Sequence, residues 1–156
     1  MPHKPANPES LIKGRIAESL VELLLEEGGY KIIRIAREGL LNGVNREDTR
    51  LFLKSQSAGQ VMTAPSFVVL DKKGENVALV KVKFISAKSR GSNISHGIGQ
   101  IRKYWPEALL VVVAAEKPRF SVIDRNQKRV SIEQAFPQIK KESLSQFEGM
   151  MQKILN

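Results

Sequence analysis

In the run VALVKVKF, residues 77–84, two lysines, Lys81 and Lys83, stand two apart among apolar neighbours. Side chains alternate along an extended chain, so both ammonium groups share one face. Such a pair can hold oxyanions, phosphate above all. It also repels a divalent cation: two like unit charges about 7 Å apart cost roughly 2 kcal/mol at an effective dielectric near 20. A solvated strand edge accounts for the same pattern without chemistry. The acid placed to meet these cations is Glu18 in GRIAES, which also fits an ordinary helix surface between Arg15 and Glu22. Downstream, KSRGSNISHG, residues 88–97, is basic and small and leads into a helix. Lys88, Arg90 and the first helical N–H groups could seat a phosphate there, and a plain surface loop fits as well. Gln100 and Tyr104 lie four apart on one helical face, with Arg102 and Lys103 beside them, while Ile98, Ile101 and Trp105 take the side that packs. His96 stands in the loop without a catalytic partner.

The elements that must position these residues are punctuated by proline and glycine. ANPESLIKGRIAESLVELLLEEGGY predicts a helix with Asn7 as N-cap, Pro8 in the first turn and Gly28-Gly29 as its stop. Ile12, Ile16, Ala17, Leu20, Leu23 and Leu24 fill one arc, widened by Val21 and Leu25. Arg15, Ser19, Glu22 and Glu26 form the polar side, with Glu18 at the border. YKIIRIARE, SFVVLD, VALVKVKF, ALLVVVAA and RFSVID predict strands, the last four apolar enough for the centre of a sheet. SHGIGQIRKYW predicts a short helix ended by Pro106. The tail, SIEQAFPQIKKESLSQFEGMMQKILN, predicts two helical pieces around Pro137. The second, residues 138–156, carries Leu144, Phe147, Met151 and Ile154 as a packed stripe. Residues 1–7 predict a flexible N-terminus, and residues 38–62 a polar insertion with a short helix from about Glu47. No internal repeat or linker divides the chain, so residues 1–156 read as a single α/β domain.

Composition narrows the chemistry. Against 25 Lys and Arg stand 16 Asp and Glu, a net charge of +9. That surplus attracts phosphate backbones, acidic proteins or anionic membrane, although a general bias toward basic soluble proteins produces it too. Cysteine is absent, which excludes disulfides and thiolate metal sites, and His3 and His96 are too few for a histidine-based zinc site. A catalytic metal would need carboxylates. MPHKPANPESL has no apolar core of signal-peptide length and no later run approaches a membrane span, so the expectation is a cytoplasmic protein without membrane contact.

The order helix, strand, hairpin, helix, strand, built around PSFVVLDKKGENVALVKVKF from Pro65 to Phe84, resembles the PD-(D/E)xK nuclease superfamily, in its RecB-like branch. In that family a proline-aspartate opens the second strand and the third ends in E-x-K or D-x-K. Pro65 and Lys83 match, while Ser66 stands for the aspartate and Lys81 for the second acid. Glu18 matches the family's first-helix glutamate, and Gln100 with Tyr104 its Q-x-x-x-Y. The resemblance covers roughly residues 10–125. It implies a restriction-endonuclease-like fold, a mixed central sheet flanked by helices. Residues 66–71 and 77–84 would form an antiparallel hairpin at the centre, with the helix of residues 8–27 on one face and the helix from near 95 on the other.

For function, the resemblance implies a degenerate site. In such nucleases two carboxylates hold Mg²⁺ and the lysine positions or activates the attacking water. Here Glu18 is the one charged ligand left, Ser66 offers a neutral hydroxyl, and Lys81 is itself a cation. No metal, no cofactor and no metal-dependent cleavage are therefore expected. The expected function is nucleic-acid binding, DNA ahead of RNA, with Lys81, Lys83, Lys88, Arg90, Arg102 and Lys103 gripping the backbone without reading sequence. One alternative is a structural or adaptor subunit whose basic surface meets an acidic protein. Another is an active Mg²⁺-dependent nuclease whose acid has migrated to Glu18, Glu22 or Glu75. Asp71 does not serve: five residues beyond Ser66, it lies on the opposite face roughly 16 Å along the strand, in the turn DKKGEN.

Overall fold

The strand-forming runs pair into one six-stranded sheet. The structure, a computed structural model, describes residues 8–35, 63–86 and 92–155, with 92–96 as helical backbone. The strand order is β1 (Lys31–Arg34), β2 (Phe67–Leu70), β3 (Val77–Ile85), β4 (Leu109–Ala114), β5 (Phe120–Ile123) and β6 (Arg129–Ser131). Neighbours are antiparallel except β3 and β4. A parallel neighbour requires a crossover of a dozen or more residues. Helix α2 (Ser92–Tyr104) supplies it, beginning three residues earlier than the sequence suggested. The result is a mixed sheet flanked by helices, an α/β fold.

Helix α1 (Pro8–Glu27) ends where the two glycines stop it. Gly29 takes φ +88°, its N–H donates to Glu26 O, and the Tyr30 N–H donates to Leu25 O. These are the paired bonds of a Schellman cap, which only glycine enters without strain. Ala17, Leu20, Val21, Leu24 and Leu25 are the buried arc, packed on Phe67, Val69, Val80 and Val82 of the sheet. The expected arc was displaced: Ile12 and Leu23 are exposed. At 100° per residue they stand roughly 110–130° around the helix from the line through Ala17 and Leu24 that meets the sheet.

On this same face lie α3 (Ile132–Ala135) and α4 (Lys141–Leu155). Ser131 caps α3 in a box with Gln134, each side chain bonded to the other's backbone N–H. Helix α4 begins at Lys141 rather than 138, and buries Phe147, Met151 and Leu155 with Leu144 partly covered. Ile154 is exposed, because a spacing of four from Met151 selects Leu155 instead. Gln138, between α3 and α4, joins three parts of the chain. Its backbone N–H donates to the Tyr30 hydroxyl, its Nε2 donates to Gly28 O, and its Oε1 accepts from the Lys72 N–H.

The opposite face carries a smaller cluster, with Ile98 and Ile101 of α2 against Ile85, Leu110, Val112 and Ile123. Strand β6 was not foreseen. Three residues leave too little periodicity, and its pairing depends on the Asp124 turn, whose carboxylate accepts the N–H groups of Asn126 and Lys128. The insertion 38–62 with its helix, residues 1–7 with the Asn7 cap, and Lys88 and Arg90 lie outside the described residues. Among the described residues no helix is long and apolar enough to cross a membrane.

Candidate functional site

Strand β3 sets the geometry by its pleat. Val80 and Val82 are buried against the α1 side, so Lys81 and Lys83 take the α2 side. In the β2–β3 ladder Phe67 faces Val80, yet the Ser66 N–H also donates to Val80 O, at 2.7 Å. Two residues of one strand thus oppose one of the other, which is a bulge. It sends the 5% exposed Ser66 toward α1, where its hydroxyl donates to Glu18 Oε1 at 3.2 Å and accepts the Val82 N–H at 3.2 Å. Lys81 Nζ donates to Ala64 O at 3.2 Å, two residues before Ser66.

Lys83 is different. Its ammonium is half-buried against α2 with no hydrogen-bond or ion-pair partner among the described residues, and burial lowers its proton affinity. It lies across Gly97, where a Cβ would collide with Nζ. From Gly97 one stripe of α2 continues through Gln100 to Tyr104, both half-buried. The exposed Lys103 places its Nζ 5.2 Å from the centre of the Tyr104 ring.

The structure therefore brings the candidate residues together in two groups rather than one. Glu18 and Ser66 meet on the α1 side, whereas Lys83, Gly97, Gln100 and Tyr104 gather on the α2 side with Lys81 on the intervening strand. Glu18 was expected to pair with the lysines, but Lys83 has no acid partner among the described residues, because the sheet separates it from α1. A divalent cation fits this donor set poorly. Glu18 supplies a single carboxylate, and the Ser66 hydroxyl has committed its proton to Glu18 and a lone pair to Val82. Among the described residues no group of three or more His, Cys, Asp and Glu side chains stands ready to hold a metal. Glu22 is engaged elsewhere: it receives Arg34, which bonds through Nε at 2.6 Å and also through Nη2. Glu75 sits at the far end of the hairpin, its N–H donating to Asp71 Oδ1. Asp71 holds that turn as the sequence implied, and the Asn76 amide bonded to its carboxylate keeps its pKa below the usual range.

Arg102 leaves the phosphate-binding set. Its Nη1 donates to Pro106 O at 3.1 Å and Ala108 O at 2.5 Å, and its Nη2 to Ile123 O at 3.1 Å and Asp124 O at 2.5 Å. All four terminal N–H groups are spent on carbonyls, so the guanidinium clamps the end of α2 to β5 instead of facing a ligand. Gly97 is the residue the sequence did not flag. A recess of about 400 Å³ opens at the start of β3 between Tyr30, Asp71, Arg125, Phe136 and Gln138. Its polar groups are occupied, Asp71 in its turn, Tyr30 by Gln138 and Arg125 by Glu107. No protein-family model matches the chain and no curated protein matches it, so the groups around Lys83 and Ser66 are themselves the basis for a function.

Proposed function

We propose that the chain binds nucleic acid, DNA ahead of RNA, in the basic groove between β3 and α2, without metal-dependent cleavage. One observation carries this reading: the Lys83 ammonium is half-buried and has no counter-ion among the described residues. An uncompensated cation in partial burial is costly, and an incoming oxyanion repays that cost by a charge-assisted bond. The net charge of +9, Lys81 on the same strand face and Lys103 on α2 support it. Lys88 and Arg90 add two further positive charges to the sequence between β3 and α2.

The test is a salt titration of labelled DNA. Affinity falls linearly in log salt, and Lys81→Ala and Lys83→Ala each weaken binding to a similar degree for all sequences, reducing the slope by about one unit. No cleavage accompanies binding in Mg²⁺ or Mn²⁺. Cleavage in Mg²⁺ that stops in Glu18→Ala establishes the nuclease with a migrated acid instead. The adaptor reading is favoured by one feature, the exposed Ile33 and Val77 toward the β1 edge of the sheet. A wild-type protein with neither cleavage nor salt-sensitive binding leaves that reading in place.

A further inference from the structure

Gly97 has no conformational reason to be glycine. It sits inside α2 and is not among the glycines with positive φ. An alanine would favour the helix by about 0.5–1 kcal/mol. Gly99, two residues on in the same helix, has nothing within 4 Å of the place a Cβ would take. At Gly97 the same Cβ would strike Lys83 Nζ, and would stand 3.2 Å from Lys83 Cε and 3.8 Å from Cδ. The whole end of the lysine side chain lies in the space the missing side chain leaves. Of the two lysines on this strand face, Lys83 is the one without a partner among the described residues.

We propose that Gly97 is a positioning residue for the phosphate contact: its bare backbone forms the recess that holds the Lys83 ammonium, half-desolvated and uncommitted, for one oxyanion of the nucleic-acid backbone. This rests on the nucleic-acid reading above. The recess fixes where the first phosphate sits relative to the Gln100 and Tyr104 stripe. The end of a lysine is flexible, so a methyl group at residue 97 displaces the ammonium toward water without breaking α2.

The experiment compares wild type, Gly97→Ala, Gly99→Ala, Lys83→Ala and the double change Gly97→Ala with Lys83→Ala. Each is titrated with a fluorescent DNA oligonucleotide across salt and then melted thermally. Gly97→Ala weakens binding about tenfold, the size of one charge-assisted hydrogen bond, and matches Lys83→Ala. Gly99→Ala binds as wild type, the double variant binds no worse than Lys83→Ala alone, and Gly97→Ala melts no lower than wild type. Wild-type affinity in Gly97→Ala, an additive loss in the double variant, or an equal loss in Gly99→Ala overturns the proposal. A separate readout needs no DNA: the pH profile of Lys83 acetylation, followed by peptide mass spectrometry. Displacement into water moves that profile to higher pH in Gly97→Ala and leaves it unmoved in Gly99→Ala, whereas an unmoved profile in both overturns the recess. If the profile moves but wild type binds no DNA, the recess stands and the phosphate assignment with the nucleic-acid reading falls.

Discussion

Lys83 carries a cost that its own titration exposes. Burial holds its folded-state pKa below that of an unfolded lysine, so the folded chain disfavours the charged form. The penalty is fully present below the folded-state value and is relieved as pH rises from there through the ordinary one. Lys83→Met keeps the length and removes the charge. It should stabilise the fold by about 1 kcal/mol at pH 7, or roughly 3 °C in Tm for a chain of this size, while weakening DNA binding. Thermal melts at pH 7 and pH 10 check this: the gain shrinks at the higher pH, and an equal loss of stability at both would show that packing of the side chain outweighs the charge. The two lysines were legible in the sequence because alternation in a strand is rigid. Gly97 was not, since its role arises from a contact fourteen positions away that leaves no period in the sequence.

At the scale of the elements, α2 shows how a single turn of helix divides neighbours. Arg102 and Lys103 were alike by sequence, two cations at the end of one helix. A rotation of about 100° separates them, so that Lys103 faces water and Arg102 folds back onto the carbonyls of residues 106, 108, 123 and 124. Arg102→Ala strips partners from part-buried carbonyls, and should destabilise by about 3 kcal/mol in urea unfolding while leaving the slope of log affinity against log salt unchanged. Arg102→Lys should recover little, because one ammonium cannot span four carbonyls. A reduced salt slope in the folded variant would return Arg102 to the phosphate surface. The five strands predicted from apolar runs, β1 to β5, and the helices with glycine or proline stops were read from pattern. The misses were elements whose edges depend on tertiary contact. Strand β6 exists only against β5, and the bulge at Ser66 depends on which carbonyl its N–H finds.

Across the whole molecule, the larger core is shared by segments from both ends of the described chain, α1 and α4, meeting on one face of the sheet. Met151 is fully buried there. Met151→Ala should cost about 2–5 kcal/mol by leaving a cavity, measured as a lowered urea midpoint. A loss below about 1 kcal/mol would mean that α4 can collapse into the space. Gln138 binds Gly28 and Tyr30 across sequence separations of 110 and 108 residues. That places a delay in the life of every newly made copy. At translation rates of 5–20 residues per second, the apolar arc of α1 waits roughly ten seconds for the segment that covers it. During that interval Leu24 and Leu25 are exposed to whatever hydrophobic surface is nearby, so the nascent chain offers chaperones a binding site that the finished protein has closed.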